Sequence, residues 1–343
     1  MSGGRTLEGR GLVVEFEGRR GAVATALDGA DVELRSGEIV ALVGESGSGK
    51  TTLARTLMGL VRPQVGEVLV DGEPMAYRGK PMRAFRRRVQ MVLQDPAGAL
   101  NPRQTVYDCV AEGLRLHKLS GHDPAGRSEE QQVADALATA GLRPPEQLFL
   151  RYPHELSGGQ RQRLLIAGAL ALGPELLIAD EPVSSLDASI RGEILALLLT
   201  LRDELGLGVL VVTHDLGLAW NVADRTAVMY LGRIVESGPT EEVLQRPSHP
   251  YTQALLSVVP EVEGLHPVVL AGEIPDPTHI PAGCRFHPRC PALSDGTAAA
   301  AGVDEACRTV PLEVLPADHG HRVACHLVSA LTGDAVAGGA PPP

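Results

Sequence analysis

One stretch, GESGSGKT at 44–51, constrains the fold of this chain more than any other. The apolar run EIVALV precedes it, and the helical pattern TTLARTLMGL begins within it. A strand, a glycine-rich loop and a helix in this order form a phosphate-binding loop, whose backbone N–H groups wrap the phosphates. Lys50 would reach the β- and γ-phosphates, and the hydroxyl of Thr51 would bind Mg²⁺. The residues predicted to contact the nucleotide here are Gly44, Ser46, Gly47, Gly49, Lys50, Thr51 and Thr52.

Short apolar runs alternate with helical patterns along much of the chain. The runs that predict strands are 38–44, 175–180, 208–213 and 226–232. This alternation predicts an α/β domain around a largely parallel sheet. Helical patterns dominate between 95 and 173, which predicts a helical subdomain. We therefore expect a main domain at 1–260, a small separate segment rich in Pro, His and Cys at 261–330, and a disordered tail at 331–343.

Polar residues follow two of the predicted strands and one further apolar run. Asp180 and Glu181 lie at the carboxyl end of the strand in LLIADEP, His214 follows GVLVVT, and Gln94 follows MVL. In open α/β sheets, ligands bind at the carboxyl ends of the strands. Asp180 is predicted to bind on the Mg²⁺ side and Glu181 to polarise an attacking water. Gln94 and His214 are predicted to contact the γ-phosphate or its water, with Gln94 also near the Mg²⁺; the alternative for each residue is a structural hydrogen bond.

A second candidate anion site lies at HELSGGQRQRLLIAGALALG, 154–173. Ser157 stands where a helix cap is expected, and an apolar-periodic helix then runs to a Gly-Pro stop. Free backbone N–H groups and the positive end of the helix dipole attract anions at such a start. The chain therefore contains two candidate phosphate sites.

Six motifs in the expected order make the chain resemble an ABC-transporter ATPase subunit. They are GESGSGKT (Walker A), LQDP (Q-loop), LSGGQ (signature), LLIADEP (Walker B), SSLD at 184–187 (D-loop) and THD (switch histidine). The resemblance implies ATP and Mg²⁺ as ligands. It also implies that two nucleotide domains pair head to tail, so that the signature of one closes on the ATP of the other. The residues that it adds to the nucleotide site are Ser157, Gly158, Gly159, Gln160 and Asp187.

The aromatic side chain that would stack on adenine is less well marked. Phe16 in VVEFEG is the best candidate, and its alternative is a core position in a strand.

A narrower resemblance is to the ATPases of dipeptide and oligopeptide importers. Segments similar to theirs are RYPHELSGGQRQR, DEPVSSLDASI, VMYLGRIVESG, HPYTQALLS and GCRFHPRCP, although Ala99 stands where a serine is usual. The resemblance implies an ATPase that powers peptide import at the cytoplasmic face of the membrane. Its partners would be a second ABC ATPase subunit, identical or homologous, two transmembrane permease subunits and an extracytoplasmic substrate-binding protein. The alternatives are an importer of another solute, such as nickel or a glycoside, and a soluble ABC protein in translation or repair.

Charge and hydropathy limit the classes of partner. The net charge of −11 argues against a general nucleic-acid binder, and the basic run RAFRRR at 83–88 is read as a solvated face. No apolar run is long enough to span a bilayer, so we expect a cytosolic chain that is peripheral to the membrane.

Four of the five cysteines lie close together in the sequence, at Cys284, Cys290, Cys307 and Cys325. In a reducing compartment such clustering indicates a metal more than disulfides. The paired spacing typical of zinc sites is absent. The importer resemblance favours a [4Fe-4S] cluster on these four thiolates; the alternative is four unrelated reduced thiols, as expected for Cys109.

Overall fold

The computed structural model describes residues 5–18, 21–120, 123, 125–184, 186–259, 268, 270 and 272–332. The strands are β1 (Thr6–Glu17), β2 (Val23–Arg35), β3 (Ile39–Val43), β4 (Val65–Val70), β5 (Glu73–Pro74), β6 (Val89–Val92), β7 (Leu176–Asp180), β8 (Gly208–Thr213), β9 (Arg225–Tyr230), β10 (Arg233–Pro239) and β11 (Arg322–Val323). The helices are α1 (Lys50–Leu57), α2 (Gly79–Arg88), α3 (Pro96–Ala99), α4 (Val106–Leu116), α5 (Glu129–Thr139), α6 (Gly158–Leu170), α7 (Ala188–Leu205), α8 (Leu216–Val222), α9 (Thr240–Gln245), α10 (Pro250–Leu256), α11 (Pro291–Ser294), α12 (Thr297–Ala300), α13 (Asp304–Thr309) and α14 (His326–Thr332).

The larger sheet has seven strands in the order β11-β10-β9-β3-β8-β7-β6. Strands β9, β3, β8, β7 and β6 pair in parallel, while β10 and β11 add antiparallel pairs at one edge. Every residue of β3, β7 and β8 is buried, as expected for strands covered on both faces. All four predicted strands are confirmed. Because β3, β8 and β7 are parallel neighbours, the residues that follow them meet at the carboxyl-terminal end of the sheet.

A second sheet, antiparallel and not predicted from the sequence, has the order β2-β1-β4-β5. Leu7 and Leu12 of β1 are fully buried and share a core with Leu53 and Leu57 of α1. This sheet therefore packs on the helix that begins at the phosphate loop.

The predicted helical subdomain corresponds to α3 through α6. Val110 of α4, Val133 of α5 and Leu164 of α6 pack in one apolar core. Ser128 caps α5 through a capping box, which fixes the start of this helix. The basic helix α2 exposes most of its arginines, which agrees with a solvated face.

The cysteine-bearing segment is not structurally separate from the rest of the chain, which corrects that expectation. Its Phe286 is buried against Tyr230 and Tyr251, with ring centroids 5.2 Å and 5.3 Å apart. Its β11 pairs with β10 and so extends the larger sheet. The proposed boundary between 260 and 261 lies outside the described residues. The tail predicted to be disordered at 331–343 begins two residues too early, because 331 and 332 end helix α14, and 333–343 lie outside the described residues.

Candidate functional site

The phosphate loop connects β3 to α1. Gly49 has a φ of 108°, and a Cβ at this position would lie 2.4 Å from the carbonyl oxygen of Ala26. Only glycine fits this close approach in a left-handed conformation. The buried Lys50 donates through Nζ to the carbonyl oxygens of Gly44 at 2.7 Å and Glu45 at 2.8 Å. The ammonium group is thus held inside the loop.

Electrostatics around Lys50 act in two directions. Burial lowers its pKa, and the carboxylates of Glu181, Asp180 and Glu45 act to raise it. Burial also raises the pKa of Asp180. An anionic, phosphate-bearing ligand beside Lys50 would favour the charged ammonium in the same way as these carboxylates do.

Two oxygen donors meet beside the loop. The hydroxyl of Thr51 donates to Oδ1 of Asp180 at 3.4 Å, and Asp180 is 4% exposed. Hydroxyl, carboxylate and water oxygens are the ligands that Mg²⁺ prefers. The residues present therefore fit a Mg²⁺ ion bound together with phosphates.

Glu181 is the meeting point of the predicted catalytic residues. Its Oε2 accepts from Nε2 of Gln94 at 2.8 Å, and its Oε1 lies 3.3 Å from Nδ1 of His214. Its backbone N–H donates to Val212 of β8 at 2.9 Å. Glu181 has a φ of 47°, a left-handed conformation that is uncommon for a residue with a side chain. The structure thus brings together three residues that lie far apart in the sequence.

Ser157 caps α6 as predicted. Its hydroxyl accepts from the backbone N–H of Gln160 at 3.2 Å, and the side chain of Gln160 accepts from the N–H of Ser157 at 3.0 Å. Ser157 and Asp187 are exposed, Gly158 and Gln160 are half-buried, and Gly159 is buried. Among the described residues, no hydrogen bond or ion pair joins the signature residues to the chain's own phosphate loop.

Comparison with known proteins identifies the family. A family model described as "ABC transporter" matches residues 27–184, and one described as "Oligopeptide/dipeptide transporter, C-terminal region" matches 235–296. A probable peptide ABC transporter ATP-binding protein of Sinorhizobium fredii is 43% identical, over 89% of this chain and 83% of the relative. The chain belongs to the ABC transporter family of ATP-binding proteins. An oligopeptide transport ATP-binding protein of Bacillus subtilis is 41% identical to this ABC ATPase, over 89% of this chain and 90% of the relative.

Solved structures agree with the fold. The cbiO1 protein from Clostridium perfringens, part of an ABC transporter complex, has a TM-score of 0.61 and 32% identity, covering 70% of this chain and 90% of that one. A bacterial ABC transporter cassette solved as a dimer has a TM-score of 0.60 and 28% identity, covering 68% and 98%. The predicted fold, the family and the assignment as an ATPase that uses ATP and Mg²⁺ are confirmed. No helix of the described part of the chain is long and apolar enough to cross a membrane.

Phe16 does not belong to the core of this ABC ATPase. Its side chain is 46% exposed near the end of β1, so the alternative of a core position is wrong. Stacking on adenine stays a prediction.

The four C-terminal cysteines of the ABC ATPase line one small cavity together with His249 and Phe286. The backbone N–H of Cys284 donates to the carbonyl oxygen of Cys307 at 2.9 Å, which joins the two stretches. Burial raises the pKa of Cys284 to about 12 and that of Cys307 to about 11. Within the described residues no group of three or more His, Cys, Asp or Glu side chains is arranged to hold a metal ion. The iron–sulfur cluster therefore stays a prediction.

A buried polar atom near this cavity has no partner among the described residues. His249 is fully buried, its Nδ1 accepts from the backbone N–H of Tyr251 at 3.0 Å, and its Nε2 makes no hydrogen bond. Since Nδ1 accepts, the proton of the neutral ring is on Nε2. A buried unpaired donor is costly, and a ligand in the cavity would give it a partner.

The contacts that Glu45 makes with distant residues were not predicted from the sequence. Glu45 of the phosphate loop pairs with Arg289, which lies 244 positions later, and its N–H donates to the hydroxyl of Tyr251 at 2.9 Å. No local pattern encodes a pair this distant, so a single sequence contains no signal for it.

Proposed function

We propose that this ABC ATPase powers the import of di- or oligopeptides. The match of residues 235–296 to the oligopeptide/dipeptide transporter C-terminal model supports the peptide class. The relatives from Sinorhizobium fredii and Bacillus subtilis, which are named for peptide and oligopeptide transport, support it as well. These relatives match along most of their own length, so the assignment does not rest on the ATPase motifs alone.

The ATP chemistry is assigned to residues that meet at the edge of the larger sheet. Lys50 and the N–H groups of 44–51 bind the phosphates, and Thr51, Asp180 and Gln94 hold the Mg²⁺, which neutralises charge on the phosphates when it is bound. Glu181 accepts a proton from the attacking water, while Gln94 and His214 orient its carboxylate. The observation that carries this assignment is that both side chains contact the Glu181 carboxylate.

The signature residues Ser157, Gly158, Gly159 and Gln160 act on the ATP of a second ABC ATPase subunit, identical or homologous to this one, and Asp187 lies at the same interface. The exposure of Ser157 and Asp187 supports this arrangement. Two transmembrane permease subunits and an extracytoplasmic substrate-binding protein complete the importer. The chain then acts as a peripheral protein at the cytoplasmic face of the membrane.

Uptake in a strain that lacks this chain tests the cargo class. Labelled dipeptides and oligopeptides, nickel and a glycoside are supplied separately, and the strain is complemented with the wild type or with Glu181→Gln. We expect peptide uptake to return with the wild type only. Return of nickel or glycoside uptake in its place would contradict the peptide assignment, and failure of the chain to co-purify with membrane subunits would contradict an importer of any kind.

We further propose that Cys284, Cys290, Cys307 and Cys325 hold a [4Fe-4S] cluster. Their common cavity and the unpaired Nε2 of His249 support this proposal. The cluster would tie together stretches of the segment 284–325 and so stabilise it, since ligation energy contributes directly to folding. It has no part in the ATP chemistry.

Protein purified without air tests the cluster. We expect a brown, oxygen-sensitive chromophore and about four iron atoms per chain, as the stoichiometry of such a cluster requires. Cys284→Ser should bleach it, whereas Cys109→Ser, in α4, should not. Absence of iron, or one equivalent of zinc, would contradict the proposal.

A further inference from the structure

The segment between Cys284 and Cys290 reaches the phosphate loop through Arg289. The guanidinium donates to Glu45 twice, from Nη1 to Oε2 at 2.7 Å and from Nη2 to Oε1 at 3.1 Å. The Arg289 side chain is only 6% exposed, and its guanidinium lies 6.0 Å from the centre of the Tyr230 ring. A bidentate contact from a buried arginine orients its partner carboxylate and stabilises the charged form of that carboxylate better than a surface ion pair does.

Glu45 is part of the phosphate loop, directly after Gly44. Its carbonyl oxygen accepts from Lys50 Nζ at 2.8 Å and from the N–H of Ser48 at 3.2 Å. Its own N–H donates to Tyr251 at 2.9 Å. The backbone of Glu45 is therefore hydrogen-bonded within the loop, and its carboxylate is hydrogen-bonded to Arg289 of the C-terminal segment.

A second arginine of the same segment is linked to the loop through hydrogen bonds. Arg285, 8% exposed, donates to the carbonyl oxygen of Leu231 and to the carboxylate of Asp28. The N–H of Asp28 donates to Gly232 at 3.0 Å, and the N–H of Gly232 donates to Ser48 at 2.8 Å. Both arginines thus connect the segment to the phosphate loop, Arg289 directly and Arg285 through the turn after β9.

The charge of Glu45 makes the Arg289 contact matter for an anionic ligand. An unpaired carboxylate in the loop would repel phosphates and compete with them for the Lys50 ammonium. Arg289 neutralises this carboxylate and holds it away from the ammonium. The Arg289 side chain, by contrast, is buried, so loss of the pair would leave its charge without a partner.

We propose that Arg289 is a positioning residue for ATP: by pairing with Glu45 it keeps the phosphate loop in its binding conformation and leaves Lys50 free for the phosphates. The proposal rests on the nucleotide role of loop 44–51 and is independent of the cargo. A different transported solute would leave it unchanged.

The test measures the ATP dissociation constant of the purified full-length chain and the KM and kcat for ATP. Arg289→Met keeps the aliphatic packing but removes the charge. It should weaken ATP binding about tenfold, which is about 1.4 kcal/mol. We expect a raised KM with kcat within a few-fold of wild type.

Two comparison variants accompany Arg289→Met. Arg289→Lys should recover part of the ATP affinity, since it restores the charge but not the bidentate geometry. Arg308→Ala removes an exposed arginine of the same segment and should change nothing.

The double variant separates positioning from a general structural role. In the Glu45→Gln background there is no carboxylate to neutralise, so Arg289→Met should weaken ATP binding less than about threefold. Such a departure from additivity is expected for residues in contact. An equal loss of affinity in both backgrounds would overturn the proposal, and so would an Arg289→Met single variant that binds ATP within twofold of wild type. If Arg289→Met does not fold, Arg289→Lys is compared in the two backgrounds, and a loss of affinity that is equal in both would overturn the proposal.

Discussion

Replacing Glu181 by glutamine is the sharpest test of the hydrolytic site. The substitution keeps the size of the side chain and leaves the backbone bond from the N–H of Glu181 to Val212 in place. A glutamine oxygen can still accept from Gln94, which now donates to the carboxylate at 2.8 Å. What is lost is the negative charge and the ability to take a proton.

The size of the expected effect follows from that loss alone. A positioned general base contributes about 10²- to 10⁴-fold to a rate, which corresponds to about 3–5 kcal/mol of activation free energy at 1.36 kcal/mol for each factor of ten. ATP binding depends on Lys50 and the loop N–H groups, so the dissociation constant should stay within a few-fold of wild type. Removing a carboxylate near the phosphates should if anything tighten binding.

The assay measures steady-state turnover and ATP affinity with this chain as the sole ATPase subunit. Glu204→Gln, an exposed glutamate near the end of α7, serves as the matched control and should behave as wild type. Turnover of Glu181→Gln within about fivefold of wild type, far less than the loss of a general base, in a folded variant that binds ATP, would show that Glu181 is not the base.

Three further predictions follow from other parts of the structure. Ser157→Arg places bulk and charge on the exposed cap of α6; it should leave the ATP dissociation constant of the chain nearly unchanged and abolish turnover, and loss of affinity in a folded chain would contradict an action on the partner's ATP. Gly49→Ala forces a side chain into φ 108° and against Ala26; it should remove ATP binding and lower the free energy of unfolding in urea by about 1–3 kcal/mol. Burial lowers the pKa of His249 to about 4, whereas a histidine of the unfolded chain has a pKa of about 6.5. The unfolded state therefore binds the proton first as the pH falls, and the free energy of unfolding of iron-free protein should drop by up to roughly 3 kcal/mol between pH 6.5 and 4. His249→Gln should flatten this pH dependence.

The parts of the site that the sequence could predict are those encoded by short, contiguous motifs. The phosphate loop, the polar residues that end β7 and β8, and the Ser157 cap each combine a local signal with a fixed place in a strand or helix. Parallel strands bring their carboxyl ends together. This geometry is why Gln94, Glu181 and His214 could be expected at one edge before their contacts were known.

The parts that could not be predicted depend on contacts between distant residues. Strand β1 pairs with β4 across more than fifty positions, and no turn signal links the two. The pair between Glu45 and Arg289 spans 244 positions, and the burial of Phe286 against Tyr230 and Tyr251 joins a segment that its composition describes as separate. The composition of a segment indicates how large a hydrophobic core it could form alone, but not whether the segment packs against another part of the chain.

Peptide accumulation in proteoliposomes tests the central claim most directly. The permease subunits that co-purify with this chain are reconstituted with the binding protein, a labelled peptide on one side and ATP on the side of this chain. We predict accumulation of peptide in proportion to ATP hydrolysed, and none with Glu181→Gln. ATP hydrolysis by the wild-type complex without accumulation of any peptide, or accumulation that continues with Glu181→Gln, would contradict the account.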